Sequence, residues 1–259
     1  MLTEDLLARA STINTNSIIE AARLTMNHKE KPIMIVNFKT YPEATGRKAM
    51  DLSGHLDDVQ KETKVRVIAA AQATDISSIS HHVKIPVFAQ HIDYPPQGAH
   101  TGHVSPEAVK EAGGSGTLLN HSERQLGLKA VQETIQRIRA AGLTSVICAN
   151  NAAVATACAA LGPDMVAVEP PELIGTGIAV SKAKPEVVTD TVSRIRMVNS
   201  DVVILCGAGI ADGRDASSAL KLGTQGILVS SGVVKAKDPR RAALDLARAM
   251  TNYVEEHSS

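Results

Sequence analysis

Residues 33–41 read Ile-Met-Ile-Val-Asn-Phe-Lys-Thr-Tyr. The apolar residues run unbroken instead of alternating with polar ones, which describes a strand covered on both faces, as in a parallel sheet flanked by helices. Similar short runs recur at 65–70, 87–90, 117–120, 145–149, 165–168, 202–206 and 227–230. Between them lie segments of helical period with start and stop signals. Ser105-Pro106-Glu107 sets an N-cap before a proline at the first helical position, and Gly113 stops that helix. A second helix is expected from Ser122 to Ala141, with Leu126, Val131, Ile135 and Ile138 on one face and Gly142 at its end. Asp238-Pro239 opens the last one. Eight strand–helix units in about 230 residues, with no Pro/Ser/Gly-rich linker, predict one α/β barrel of (β/α)8 type over residues 32–259. Residues 1–31 are read as an N-terminal extension of one or two short amphipathic helices. An open, doubly wound parallel sheet is the alternative, and both architectures place chemistry at the C-terminal ends of the strands.

Composition narrows the partners. The 259 residues carry 27 basic and 27 acidic side chains, so no excess positive charge draws the chain to nucleic acid or an anionic membrane. Aromatic residues make up 2% and tryptophan is absent, which leaves Val, Ile, Leu and Ala to fill the core. Cys148, Cys158 and Cys206 are odd in number and widely spaced, arguing against a disulfide framework or a zinc cluster and for a reducing, cytoplasmic setting. No apolar run reaches the roughly 18 residues that cross a bilayer. The first thirty residues, with Glu4, Asp5 and Glu20, lack a secretory signal's apolar stretch.

Chemistry gathers at the strand ends. Lys39 lies two residues beyond the first strand, where an ammonium can hold a phosphate or a developing oxyanion. His121 and Glu123 follow the fourth strand; if the helix begins at Ser122, its dipole keeps His121 neutral and able to donate to a carbonyl. Glu169 directly follows four apolar residues, a costly place for a carboxylate without a task, so it is the candidate general base. After it, Pro170-Pro171-Glu172-Leu173-Ile174-Gly175-Thr176-Gly177 reads as a lid. Gly207-Ala208-Gly209 and Ser230-Ser231-Gly232 end the last two strands, and small residues there let backbone N–H groups approach a phosphate.

These segments, together with Gln90-His91 and Thr101-Gly102, resemble the triosephosphate isomerase family, in its shorter archaeal branch, over essentially all of residues 32–259. The resemblance implies a TIM barrel that interconverts dihydroxyacetone phosphate and D-glyceraldehyde 3-phosphate without a cofactor or metal, in glycolysis and gluconeogenesis. It implies Glu169 as base, His121 as neutral electrophile, and Lys39 with Asn37 as electrostatic and positioning groups, with Glu123 pairing with Lys39. Substrate would be held by Asn37, Phe38 and Lys39, with its phosphate on Ile174, Gly175, Gly209, Ser230 and Ser231. The family's longer branch has Val-Trp after the base and Tyr-Gly-Gly-Ser in the seventh loop, where this chain has Pro171-Glu172 and Cys206-Gly207-Ala208-Gly209. Residues 97–103 resemble the loop that the family inserts into a neighbouring subunit, which implies a homo-oligomer, first a tetramer and second a dimer. That loop also accounts for His100 and His103, with His91, better than a metal site does. Three other readings are weighed and disfavoured: a metal-dependent epimerase needs several inward His/Asp ligands and an aldolase a buried Schiff-base lysine, neither of which the pattern offers, and a catalytically idle scaffold would not need every catalytic position filled.

Overall fold

The computed structural model describes residues 31–169 and 185–257. Eight strands close into a barrel in sequence order: β1 (Ile33–Asn37), β2 (Arg66–Ala71), β3 (Val87–Ala89), β4 (Gly116–Leu119), β5 (Thr144–Ala149), β6 (Met165–Val168), β7 (Val203–Cys206) and β8 (Gly226–Val229). Every neighbouring pair is parallel, and the ring is closed by β1 on β8, with Ile33 opposite Gly226. The open-sheet alternative is thereby excluded, and the eight predicted strands agree with the observed ones to within a residue or so at their ends. Helices α1 (Arg47–Glu62), α2 (Ile76–His82), α3 (Pro106–Glu111), α4 (Leu128–Ala140), α5 (Ala152–Ala160), α6 (Pro185–Val198), α7 (Gly213–Lys221), α8 (Ser231–Val234) and α9 (Pro239–His257) intervene between the strands and close the chain.

The unbroken apolar runs have two destinations because successive strand residues face opposite ways. Ile33, Ile35, Ile68, Ala70, Phe88, Leu118, Val146, Cys148, Met165, Ala167, Leu205 and Leu228 form one buried cluster, which fills the barrel. Met34, Val36, Val67, Ala69, Val87, Leu119, Ile147, Val166, Ile204 and Ile227, of opposite parity, join the larger cluster that packs under the helices. Phe88 is the one aromatic ring of the interior cluster. A Cβ on Gly116 would lie 2.6 Å from it, so the glycine makes room for the ring. Continued one step beyond the strands, the inward parity reaches Asn37, Gln90, Asn120, Glu169, Gly207 and Ser230. The interior series therefore ends in a polar layer at the C-terminal rim.

Two of the three predicted helix starts hold. Ser105 caps α3 by accepting the Ala108 N–H, with Pro106 at the first position, and α9 begins at Pro239 with Asp238 accepting the Arg241 N–H. The third does not. Helix α4 begins at Leu128 behind an extended Gly127, not at Ser122. Side chains divert the backbone donors before it: Leu126 N–H bonds Asn120 Oδ1 at 2.8 Å and Glu123 N–H bonds His121 Nδ1 at 3.2 Å. Residues 122–127 are held as a loop in this way. The extension, residues 1–31, falls almost wholly outside the described residues, as does the lid segment with Ile174 and Gly175.

Candidate active site

Asn37, Lys39, Tyr41, His121, Glu169, Ala208, Gly209, Ile210, Ser230 and Ser231 line one cavity of about 290 Å³ at the C-terminal rim. Among the described residues, the structure thus brings Asn37, Lys39, His121, Glu169, Gly209, Ser230 and Ser231 together. Glu123 reaches the group from the loop before α4, and its carboxylate bonds the Lys39 ammonium at 2.7 Å. Phe38 goes elsewhere: its ring is fully buried in the cluster under the helices. Ile174 and Gly175 lie outside the described residues.

Glu169 is the next inward residue after Met165 and Ala167, and its backbone is fixed by its N–H bonding the Ala149 carbonyl at 2.8 Å. The residue is 6% exposed. Its Oε2 has no hydrogen-bond partner among the described residues and lies 3.5 Å from His121 Nε2. A carboxylate oxygen buried without a donor is costly, and it is also unblocked as a proton acceptor. Gly207 makes its position possible, since a Cβ there would meet Glu169 Cγ at 2.4 Å.

His121 departs from the strand alternation because Asn120 before it has φ +59°, which turns the chain back over the mouth. The helix-dipole argument for this histidine fails with the shifted start of α4. A local one replaces it: the Glu123 N–H occupies Nδ1 and leaves Nε2 as the position for a proton on neutral imidazole. Burial disfavours imidazolium here, but the Glu169 carboxylate, helped by Glu123, outweighs it and raises the His121 pKa above its ordinary value.

The phosphate candidates sit across the cavity. Ser230 Oγ donates to the Asn37 carbonyl at 2.7 Å, tying β8 to β1. Ser231 and Gly232 open α8, so their N–H groups have no acceptor within the helix. Gly232 packs close to the seventh loop, where a Cβ would lie 2.7 Å from the Ile210 carbonyl. Lys39, Asn120 and Ala208 are the non-glycine residues with positive φ among those described, and all three stand at the rim. Strained backbone concentrated in this way is a mark of a functional site.

Cys148 and Cys206 pack close to Glu169 but do not qualify as nucleophiles. Burial, reinforced by Glu169, raises the Cys148 pKa well above its usual value, and burial takes Cys206 to about 12, so both stay thiols. His91 bonds Asp93 at 3.0 Å, and the His100 and His103 rings meet edge-on. Among the described residues no group of three or more His, Cys, Asp or Glu side chains is arranged to hold a metal ion. No described helix is long and apolar enough to cross a membrane.

Tyr41, Ile210 and Leu228 also line the cavity and were not singled out in the sequence. Strand parity could have found Leu228, which shares the inward face of β8 with Ser230. Nothing local in the sequence marks Tyr41, which arrives through the loop after β1.

The barrel and its mouth define a class, the (β/α)8-barrel enzymes. A family profile described as triosephosphate isomerase matches residues 32–250. The chain belongs to the triosephosphate isomerase family. It is 50% identical to the triosephosphate isomerase of Methanobacterium bryantii over 218 residues, covering 84% of this chain and 96% of that one. It is 48% identical to that of Methanothermus fervidus over 221 residues, covering 85% of this chain and 100% of the relative. With the Methanothermobacter thermautotrophicus protein it shares 49% over 218 residues, 84% of this chain and 95% of that one.

Proposed function

We propose that this chain interconverts dihydroxyacetone phosphate and D-glyceraldehyde 3-phosphate with Glu169 and His121 as its proton-handling pair. The observation that carries the assignment is their opposition: an unpartnered Glu169 Oε2 faces His121 Nε2 at 3.5 Å inside a cavity whose other wall is built of backbone donors. Substrate entering between them separates the two side chains and removes the contact that raises the His121 pKa. The Glu123 N–H on Nδ1 then favours neutral imidazole with its proton on Nε2. Glu169 takes the proton from the carbon beside the carbonyl and returns it to the neighbouring carbon. His121 gives its Nε2 proton to the carbonyl oxygen as charge develops there and recovers one from the hydroxyl on the neighbouring carbon. Lys39, kept in place by Glu123, adds positive charge beside them, and Asn37 fixes the Lys39 backbone through a 3.0 Å bond from its N–H. The phosphate rests on backbone donors near Gly209, Ser230 and Ser231. Phe38 serves from behind, by anchoring the loop after β1. The chemistry asks for no metal or cofactor.

The test is a coupled isomerase assay on the purified full-length protein. Wild type turns over with or without a chelator, and Glu169→Gln loses on the order of 10²–10⁴-fold in kcat, the usual weight of a general base, while its circular dichroism and melting stay as in wild type. A folded Glu169→Gln protein with near wild-type rate removes Glu169 from the mechanism.

The reaction belongs to glycolysis and gluconeogenesis in the cytoplasm. For assembly we infer a homo-oligomer, a tetramer before a dimer. Its support is the loop after β3, which is clasped at its base by paired bonds between Asp93 and Val104 and presents Tyr94 47% exposed. Residues 1–31 stand outside the family match, and we divide the chain there into an N-terminal extension and the barrel domain, residues 32–259. Mass measured in solution, with and without residues 1–31, tests both points; a monomer in both cases overturns the first.

A further inference from the structure

Lys39 holds φ +48°, a conformation that L residues rarely adopt unless their surroundings impose it. Three contacts impose it here. Its N–H is taken by Asn37 Oδ1 at 3.0 Å and its ammonium by Glu123 at 2.7 Å. Its carbonyl accepts from Gln90 Nε2 at 2.9 Å, and among the described residues no other donor reaches it. The same nitrogen donates to the Ala70 carbonyl at 3.2 Å. Two carbonyl oxygens can be met only by the nitrogen of the amide, so its orientation is fixed.

Gln90 stands one inward step beyond Phe88, at the end of β3, and does not line the cavity. It joins the end of β2 to the loop after β1 at the residue whose ammonium enters the site. We propose that Gln90 is a positioning residue for Lys39: by gripping the strained carbonyl it holds the backbone in the one conformation that aims the ammonium into the cavity. This inference rests on the reading of Lys39 as the electrostatic group. Released from Gln90, Lys39 relaxes toward negative φ and swings its ammonium away from the reacting oxygens. A displacement of about 1 Å in such a group is enough to cost on the order of 10²-fold.

The experiment compares wild type, Gln90→Leu, Lys39→Ala and the double variant, by kcat/KM on D-glyceraldehyde 3-phosphate and by calorimetric binding of 2-phosphoglycolate. Gln90→Leu is expected to lower kcat/KM roughly 10–100-fold, with kcat falling and KM rising together, as Lys39→Ala does more strongly. In the Lys39→Ala background the same change should cost less than about twofold, since the group it positions is gone. If Gln90→Leu fails to fold, Gln90→Glu replaces it, keeping the shape while setting a carboxylate against the two carbonyls. An equal loss in both backgrounds, or a Gln90 variant near wild type while Lys39→Ala is crippled, overturns the positioning role alone. A Lys39→Ala protein as active as wild type overturns the reading of Lys39 itself.

Discussion

A missing side chain at position 207 decides where the carboxylate of Glu169 can stand. Gly207 N–H bonds the Val168 carbonyl at 2.9 Å, so its backbone is fixed, and any Cβ would press on Glu169 Cγ. We expect Gly207→Ala to fold, because the obstacle is a side chain able to rotate, but to displace the carboxylate proposed as base by about an ångström and lower kcat by roughly 10²-fold. Steady-state kinetics beside a thermal melt checks this; a full wild-type kcat would show that the carboxylate tolerates another seat. The place of Glu169 at the cavity was legible in the sequence because a lone acid directly after Met165–Val168 sits at the end of a buried strand. The role of Gly207 was not, since the clash that the glycine avoids is with a residue 38 positions away.

Among the elements, α4 taught the most. Ser122 followed by Glu123 has the composition of a helix start, yet Asn120 and His121 draw the Leu126 and Glu123 N–H groups to their side chains, and the helix waits until Leu128. Local propensity could not reveal that competition, because it depends on Asn120 being held by the Cys148 carbonyl of the neighbouring strand β5. A similar long-range bond joins α1 to the turn before β3, where Asp57 Oδ1 accepts the N–H groups of Lys84 and Ile85 at 3.0 and 3.1 Å. Burial raises the Asp57 pKa, but the Lys61 ammonium and the two N–H donors together outweigh it and leave the pKa below its ordinary value. Removing the acceptor with Asp57→Ala strands two donors and should destabilise the fold by about 1–3 kcal/mol near neutral pH. The folded-state pKa is depressed, so the advantage of wild type is full above the usual carboxylate pKa and fades as pH falls through the lowered value. Denaturant melts of both proteins from neutral to acidic pH follow it; a gap that is constant with pH would deny the ionised carboxylate its part.

For the molecule as a whole, closure of the barrel rests on the pairing of β1 with β8, which no local sequence signal specifies. A Cβ at Gly226 would stand 2.1 Å from the Ile33 carbonyl. Gly226→Ala must therefore pry the first strand from the last, and we expect a loss of at least about 2–3 kcal/mol, at the upper end for single substitutions, with activity per folded molecule little changed. Urea denaturation gives the stability and a titration of active sites the second quantity; unchanged stability would mean that the seam yields without cost. The barrel itself was readable because eight apolar runs with helices between them leave few ways to cover a parallel sheet. The partners of each rim residue were not, because closure brings together residues as far apart as Asn37 and Ser230.

The rim where Lys39, Asn120 and Ala208 hold positive φ also says something about heredity. A glycine would ease the backbone at each, but at Lys39 and Asn120 it would also give up the side-chain bonds to Glu123, to the Cys148 carbonyl and from the Leu126 N–H, so selection for heat resistance gains little at these places. Lineages that move to hotter habitats while keeping their turnover must find their gains elsewhere, on the outer helices and their loops, where a substitution leaves the mouth untouched.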